Sequence, residues 1–140
     1  MNEIDVRIHY NVKEWISYAE GDLTFAQHGL TLEDEQSHRI VAYHAQQCVE
    51  KILKAYLVYQ KVKFPYTHDI SELMDLCGKT ADWVKEFQDA KSLTLYASTL
   101  RYPGQDIKLT KEEAIHTVEI AYHVFDVVRN ALIAEGIELE

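Results

Sequence analysis

Glycine and proline are scarce in this chain. Only five Gly and two Pro occur in 140 residues, so the backbone has few places at which to turn. Many short strands need frequent punctuation; a few long helices do not. The apolar residues agree. Val12, Trp15, Ile16, Ala19, Leu23, Ala26 and Leu30 follow one another at spacings of three and four, which on a helix make one stripe. This predicts a first helix from about Asn11 to Gly29, with Gly29 as its stop.

The same reading continues down the chain. Thr31 and Asp34 are start signals for a second helix that runs to about Lys61, with Val41, Ala45, Cys48, Val49, Ile52, Leu53, Tyr56 and Leu57 inward. Pro65 bars any continuation. A short third helix covers Ile70 to Leu76, with Asp69 and Glu72 as a capping box and Gly78 as its stop. A fourth is expected from Asp82 to Thr99, with Trp83, Phe87, Ala90, Leu93 or Thr94, Ala97 and Leu100 inward. Arg101-Tyr102-Pro103-Gly104 breaks it. Thr110 and Glu113 open a fifth helix carrying Ala114, Val118, Ala121, Phe125, Val128 and Leu132 inward, and Gly136 ends it. The fold class is therefore all-α, an up-and-down bundle of about five helices in one domain over residues 1–140. The core spans about residues 11–135, and the ends, Met1 to Tyr10 and Ile137 to Glu140, are expected to fray.

Composition narrows the function. Fourteen basic residues face 23 acidic ones, a net charge of −9. That argues against a general basic coat for duplex nucleic acid, though not against a local basic pocket. No apolar run approaches the ~20 residues needed to cross a bilayer, and no apolar leader follows Met1, so a cytoplasmic location without membrane attachment is expected. Cys48 and Cys77 stand in separate helical patterns and are expected to be reduced, with Cys48 a small buried hydrophobe. No glycine-rich phosphate loop, HExxH or paired Cys/His spacing occurs, so neither a metal nor a cofactor is expected.

Three segments carry candidate chemistry. Within Tyr43-His44-Ala45-Gln46-Gln47-Cys48-Val49-Glu50-Lys51-Ile52-Leu53-Lys54, a turn of about 100° per residue places His44, Gln47, Lys51 and Lys54 on one face. That row of imidazole, amide and two ammonium groups suits an anion such as a nucleotide phosphate; the same spacing also suits a solvated face with ordinary charge pairs such as Glu50 with Lys54. His68 and Asp69 stand at the mouth of the third helix, as a base with its orienting partner or as a cap beside a loop residue. Arg101 and Tyr102 lie in the break before the last helix. There a guanidinium fork grips phosphate and an aromatic stacks on a base, or the Arg pairs with a carboxylate and holds the turn.

Taken in order, Trp15 and Asp22-Leu23, the run Tyr43 to Ala55, Thr67-His68-Asp69-Ile70, Arg101-Tyr102-Pro103 and Glu113-Ala114 resemble the HEPN domain of prokaryotic proteins. The resemblance spans about residues 11–135. It implies a helical bundle that is often a homodimer and often works beside a minimal nucleotidyltransferase in a toxin–antitoxin-like pair. Some members are metal-independent ribonucleases; others bind nucleotides or RNA, or hold partners together without catalysis. The ribonuclease branch carries an Arg, a short spacer and a His late in the bundle. This chain departs from it: Arg39 and His44 match the count but stand early in the second helix, offset by about 140°, and the His next after Arg101 is His116. A site shared between subunits would bring together His44 and Arg101, the two catalytic candidates. Three functions follow as expectations: a nucleotide-binding module, a ribonuclease, and a purely structural partner.

Overall fold

A computed structural model describes residues 1–97 and 108–139 of the chain. They form α1 (Glu3–Gly29), α2 (Glu35–Tyr59), α3 (Ile70–Cys77), a 3-10 helix (Trp83–Tyr96) and α4 (Lys111–Ala134), with no strand among the described residues. Arg101, Tyr102 and Pro103 lie outside the described residues.

Local chemistry sets most of the boundaries. Asp34 caps α2 by accepting from the Gln36 amide, and Asp69 caps α3 by accepting from the Ser71 amide. The reciprocal half of the expected box at α3 is taken by Thr67, whose hydroxyl accepts from the Asp69 amide. At α4 the box is complete: Thr110 accepts from the Glu113 amide, and Glu113 accepts from the Thr110 amide. The bond from the Thr110 amide, with the Thr110 hydroxyl beside it, holds the Glu113 carboxyl below the usual carboxylate range.

Three expectations need correction. The first helix begins at Glu3, because Asn2 caps it and its first turns dock on the far end of α2, where Asp5 pairs with Lys61 and His9 packs on Tyr59. The other end is also tied down. Gly136, at φ 119°, turns the chain back so that Ile137 enters the core at 1% exposure and bonds to Leu132 O. The expected fourth helix is a 3-10 helix, interrupted at Phe87 (φ −141°, ψ 51°). Its buried residues are Val84, Phe87, Ala90 and Leu93, a strict three-residue repeat that a 3-10 helix keeps aligned and an α-helix would fan out. Val84 thus takes the inward place assigned to Trp83, which sits half-buried against Tyr56 and Phe87.

α2 is the central element and touches every other helix. It runs antiparallel to α1: Trp15 lies by Lys54, Phe25 by His44 and Gly29 by Val41. Gly29 does more than end a helix. A Cβ there would stand 2.5 Å from Val41 Cγ2, so glycine is what lets α1 and α2 approach. Because α2 is wrapped on several sides, its polar residues are buried with its apolar ones: His38, Gln46, Gln47, Glu50 and Lys54 are all under 9% exposed. His38 donates from Nδ1 to Leu109 O at 3.1 Å and so ties α2 to the approach of α4.

Candidate functional site

The row His44, Gln47, Lys51 and Lys54 does not stand together in the fold. It splits down its length between two carboxylates. His44 and Lys51 turn towards α1 and meet Asp22, whereas Gln47 and Lys54 turn into the interior and meet the network of Glu50.

In the interior half the carboxylate and the ammonium are sealed from solvent, while the His68 ring that joins them is 45% exposed. Glu50 accepts from Lys54 Nζ at 2.8 Å, from His68 Nδ1 at 2.8 Å and from Gln46 Nε2 at 3.1 Å. Gln46 also donates to the backbone carbonyl of His68 and accepts from Gln47 Nε2 at 2.7 Å. The Lys54 ammonium sits 5.7 Å from the Trp15 ring centroid and 5.9 Å from those of Phe64 and Tyr66. Three ring faces and one carboxylate thus replace the water that a buried ammonium gives up. Burial pushes the Glu50 carboxyl up, but the bonds from Lys54, His68 and Gln46 outweigh it and leave the group below its ordinary value. His68 is therefore a strap between its loop and α2, and Asp69 a helix cap.

The outer half is open. Asp22 Oδ1 accepts from His44 Nδ1 at 2.9 Å and Oδ2 accepts from Lys51 Nζ at 2.6 Å. The His44 and Lys51 side chains keep 23% and 25% of their surface in solvent. A carboxylate can only accept, so the His44 proton faces Asp22 at Nδ1. Nε2 has no hydrogen bond among the described residues; it accepts when bare and donates when protonated. Phe25 packs on the His44 ring at 4.7 Å and Tyr43 meets it edge-on at 5.2 Å. An imidazole oriented by a carboxylate and flanked by an ammonium can bind an anionic oxygen or take up a proton.

Asp22 and Glu50 are the residues that decide the site; the row argument left out Asp22 and placed the Glu50–Lys54 pair on a solvated face, whereas the pair forms at 2.8 Å in the interior. A signal existed for each. The buried residues of α2 extend through Val41, Ala42, Ala45, Cys48, Val49, Ile52, Leu53, Ala55, Tyr56 and Leu57, too wide for one stripe. A helix so apolar must bury its polar residues too, and Gln46, Glu50 and Lys54 recur every fourth position. Asp22 borders the stripe of α1, next to Leu23.

The cysteines are buried and unpaired. Burial raises the Cys48 thiol far above its ordinary value and pushes Cys77 up to about 12, so neither offers a thiolate. Among the described residues, no three His, Cys, Asp or Glu side chains cluster to hold a metal, and no helix is long and apolar enough to cross a membrane.

A family model described as "HEPN domain" matches residues 12–131. Two solved structures share the fold. ST0689, an archaeal HEPN homologue, is 23% identical with a TM-score of 0.67, over 86% of this chain and 96% of that one. TT1696 from Thermus thermophilus is 24% identical with a TM-score of 0.66, over 85% of this chain and 96% of that one. A search of the curated proteins finds no match.

Proposed function

The chain belongs to the HEPN domain family, and from that premise we propose that it is a nucleotide-binding module, working as a homodimer beside a minimal nucleotidyltransferase in a toxin–antitoxin-like pair. The observation that carries the nucleotide reading is the open cluster on α1 and α2. Lys51 and His44 share Asp22, remain a quarter exposed and keep unused hydrogen-bonding capacity on the ring and the ammonium. A phosphate oxygen is the natural complement to the ammonium, and to the ring when Nε2 carries a proton. Gln47 and Lys54 serve the fold in this reading, because their polar groups are spent on Gln46 and Glu50. Arg101 and Tyr102 enter from sequence alone, as further phosphate and base contacts. The dimer and the nucleotidyltransferase rest on the resemblance to the family.

A second reading, a metal-independent ribonuclease acting on RNA, is favoured by one feature. Asp22 fixes His44 through Nδ1 and leaves Nε2 outward, the arrangement of a general base.

One experiment tests both. Wild type, Lys51→Ala, His44→Ala and Arg101→Ala are titrated with AMP and ATP and incubated with mixed RNA in EDTA. Binding that weakens by roughly tenfold in Lys51→Ala, without cleavage, supports the module. Cleavage that disappears in His44→Ala makes the protein a ribonuclease. Wild type that neither binds nor cleaves leaves the bundle a structural partner and overturns the proposal.

A further inference from the structure

Two glycines of α1 stand in contrast. Gly29 is required inside the fold by the approach of Val41, but Gly21 is not. It lies in the middle of a 27-residue helix, it is exposed, and a Cβ there would meet nothing within 4 Å. Glycine in a helix interior costs stability relative to alanine, and no contact among the described residues returns that cost. Bare backbone is useful where something outside must come close.

What borders Gly21 indicates the visitor. Tyr18 lies one turn before it and Phe25 one turn after it, spacings of three and four that make all three surface neighbours. Both rings are largely in solvent, at 58% and 59% exposure. The Phe25 ring packs on the His44 ring at 4.7 Å, which leaves the Gly21 backbone clear. Asp22, next in the chain, carries His44 and Lys51. The surface is therefore a flat strip of backbone between two exposed aromatic rings, with an imidazole and an ammonium along one side.

From this juxtaposition we propose that Tyr18, Gly21 and Phe25 form a platform for the base of a nucleotide whose phosphate lies at Lys51 and His44. A planar heterocycle gains stacking from exposed rings and needs room to approach the helix; the phosphate needs donors beside it. A partner helix would use the bare backbone as well, but it would leave the ammonium and the imidazole Nε2 without a purpose. The inference rests on the nucleotide reading above and adds to it where the base lies.

The test is a titration of the full chain with AMP, adenosine and inorganic phosphate, for wild type, Gly21→Ala, Gly21→Leu, Tyr18→Ala and Phe25→Ala. Helix content, melting temperature and oligomeric state are measured alongside. Gly21→Ala and Gly21→Leu are expected to melt higher than wild type, since both improve the helix. Gly21→Leu and Tyr18→Ala are expected to weaken AMP roughly tenfold or more while leaving inorganic phosphate unchanged, and Phe25→Ala to weaken AMP by at least as much. Wild type that binds AMP, with all four variants binding it equally well, overturns the platform and leaves the nucleotide reading standing. Wild type that binds no AMP overturns both. A Gly21→Leu protein that changes oligomeric state with AMP affinity intact makes the strip a contact between copies of this chain, and the platform is again overturned.

Discussion

Two ion clusters sit side by side along α2, built from nearly the same parts. Each has a carboxylate, a lysine and a histidine bound through Nδ1. Around Glu50 the lysine is about 6% exposed and the carboxylate about 4%; around Asp22 the values are 25% and 12%. In the first cluster, amide donors and aromatic faces enclose the carboxylate and the ammonium, and only the His68 ring, at 45% exposure, reaches solvent. In the second, one ring nitrogen and part of an ammonium stay in reach of solvent. The chemistry of the groups does not separate a staple from a site here. The access of the lysine and the carboxylate to water does, because a buried charge needs all its partners from the protein, whereas a half-exposed one can exchange a water for a ligand.

If this contrast is real, removing the two carboxylates should have unequal effects. Glu50→Ala strands the Lys54 ammonium in its aromatic enclosure and is expected to cost about 3–5 kcal/mol of stability in urea unfolding. Asp22→Ala leaves Lys51 and His44 able to turn to water and should cost about 1–2 kcal/mol. Equal losses would break the comparison.

Acid should find the Glu50 cluster too. Its carboxyl has a lower pKa in the folded chain than in the unfolded one. The stability this contributes is complete above the ordinary glutamate value, roughly 4.3, and is lost as the pH falls from there through the folded-state value. Urea midpoints measured at descending pH should therefore drop more steeply for wild type than for Glu50→Gln. Parallel curves would show that Glu50 is not held as its neighbours imply.

The smallest effect belongs to the open cluster. Lys51→Ala is expected to change stability by less than about 1 kcal/mol while lowering affinity for phosphate-bearing ligands. A large loss of stability in Lys51→Ala would make this cluster a second staple and move the search for a site elsewhere.

Much of the fold was legible in the chain. The stripes at three and four spacing, the caps at Asp34, Asp69 and Thr110 and the stop at Gly136 are local features, and each is found at its place. The 3-10 helix was written in the three-residue repeat of Val84, Phe87, Ala90 and Leu93, but the same residues also fit an α-helix loosely, and only packing against the neighbouring helices chose. The site was less legible. A helical wheel put His44, Gln47, Lys51 and Lys54 on one face, yet within that face the residues spread over about 80°. That spread was enough to send half of them to one carboxylate and half to another.

The sequence by itself determined the helices, their order and the residues that line their inner faces, because hydrogen bonding within a helix and the spacing of apolar side chains are set by near neighbours. Tertiary structure alone decided which polar groups would be free. Asp22 lies 22 residues from His44 and 29 from Lys51, and Glu50 meets His68 from 18 residues away. No local rule pairs them. The pairing follows from the angle at which α1 lies against α2 and from the path of the loop into α3, which together settle how much water each charge keeps.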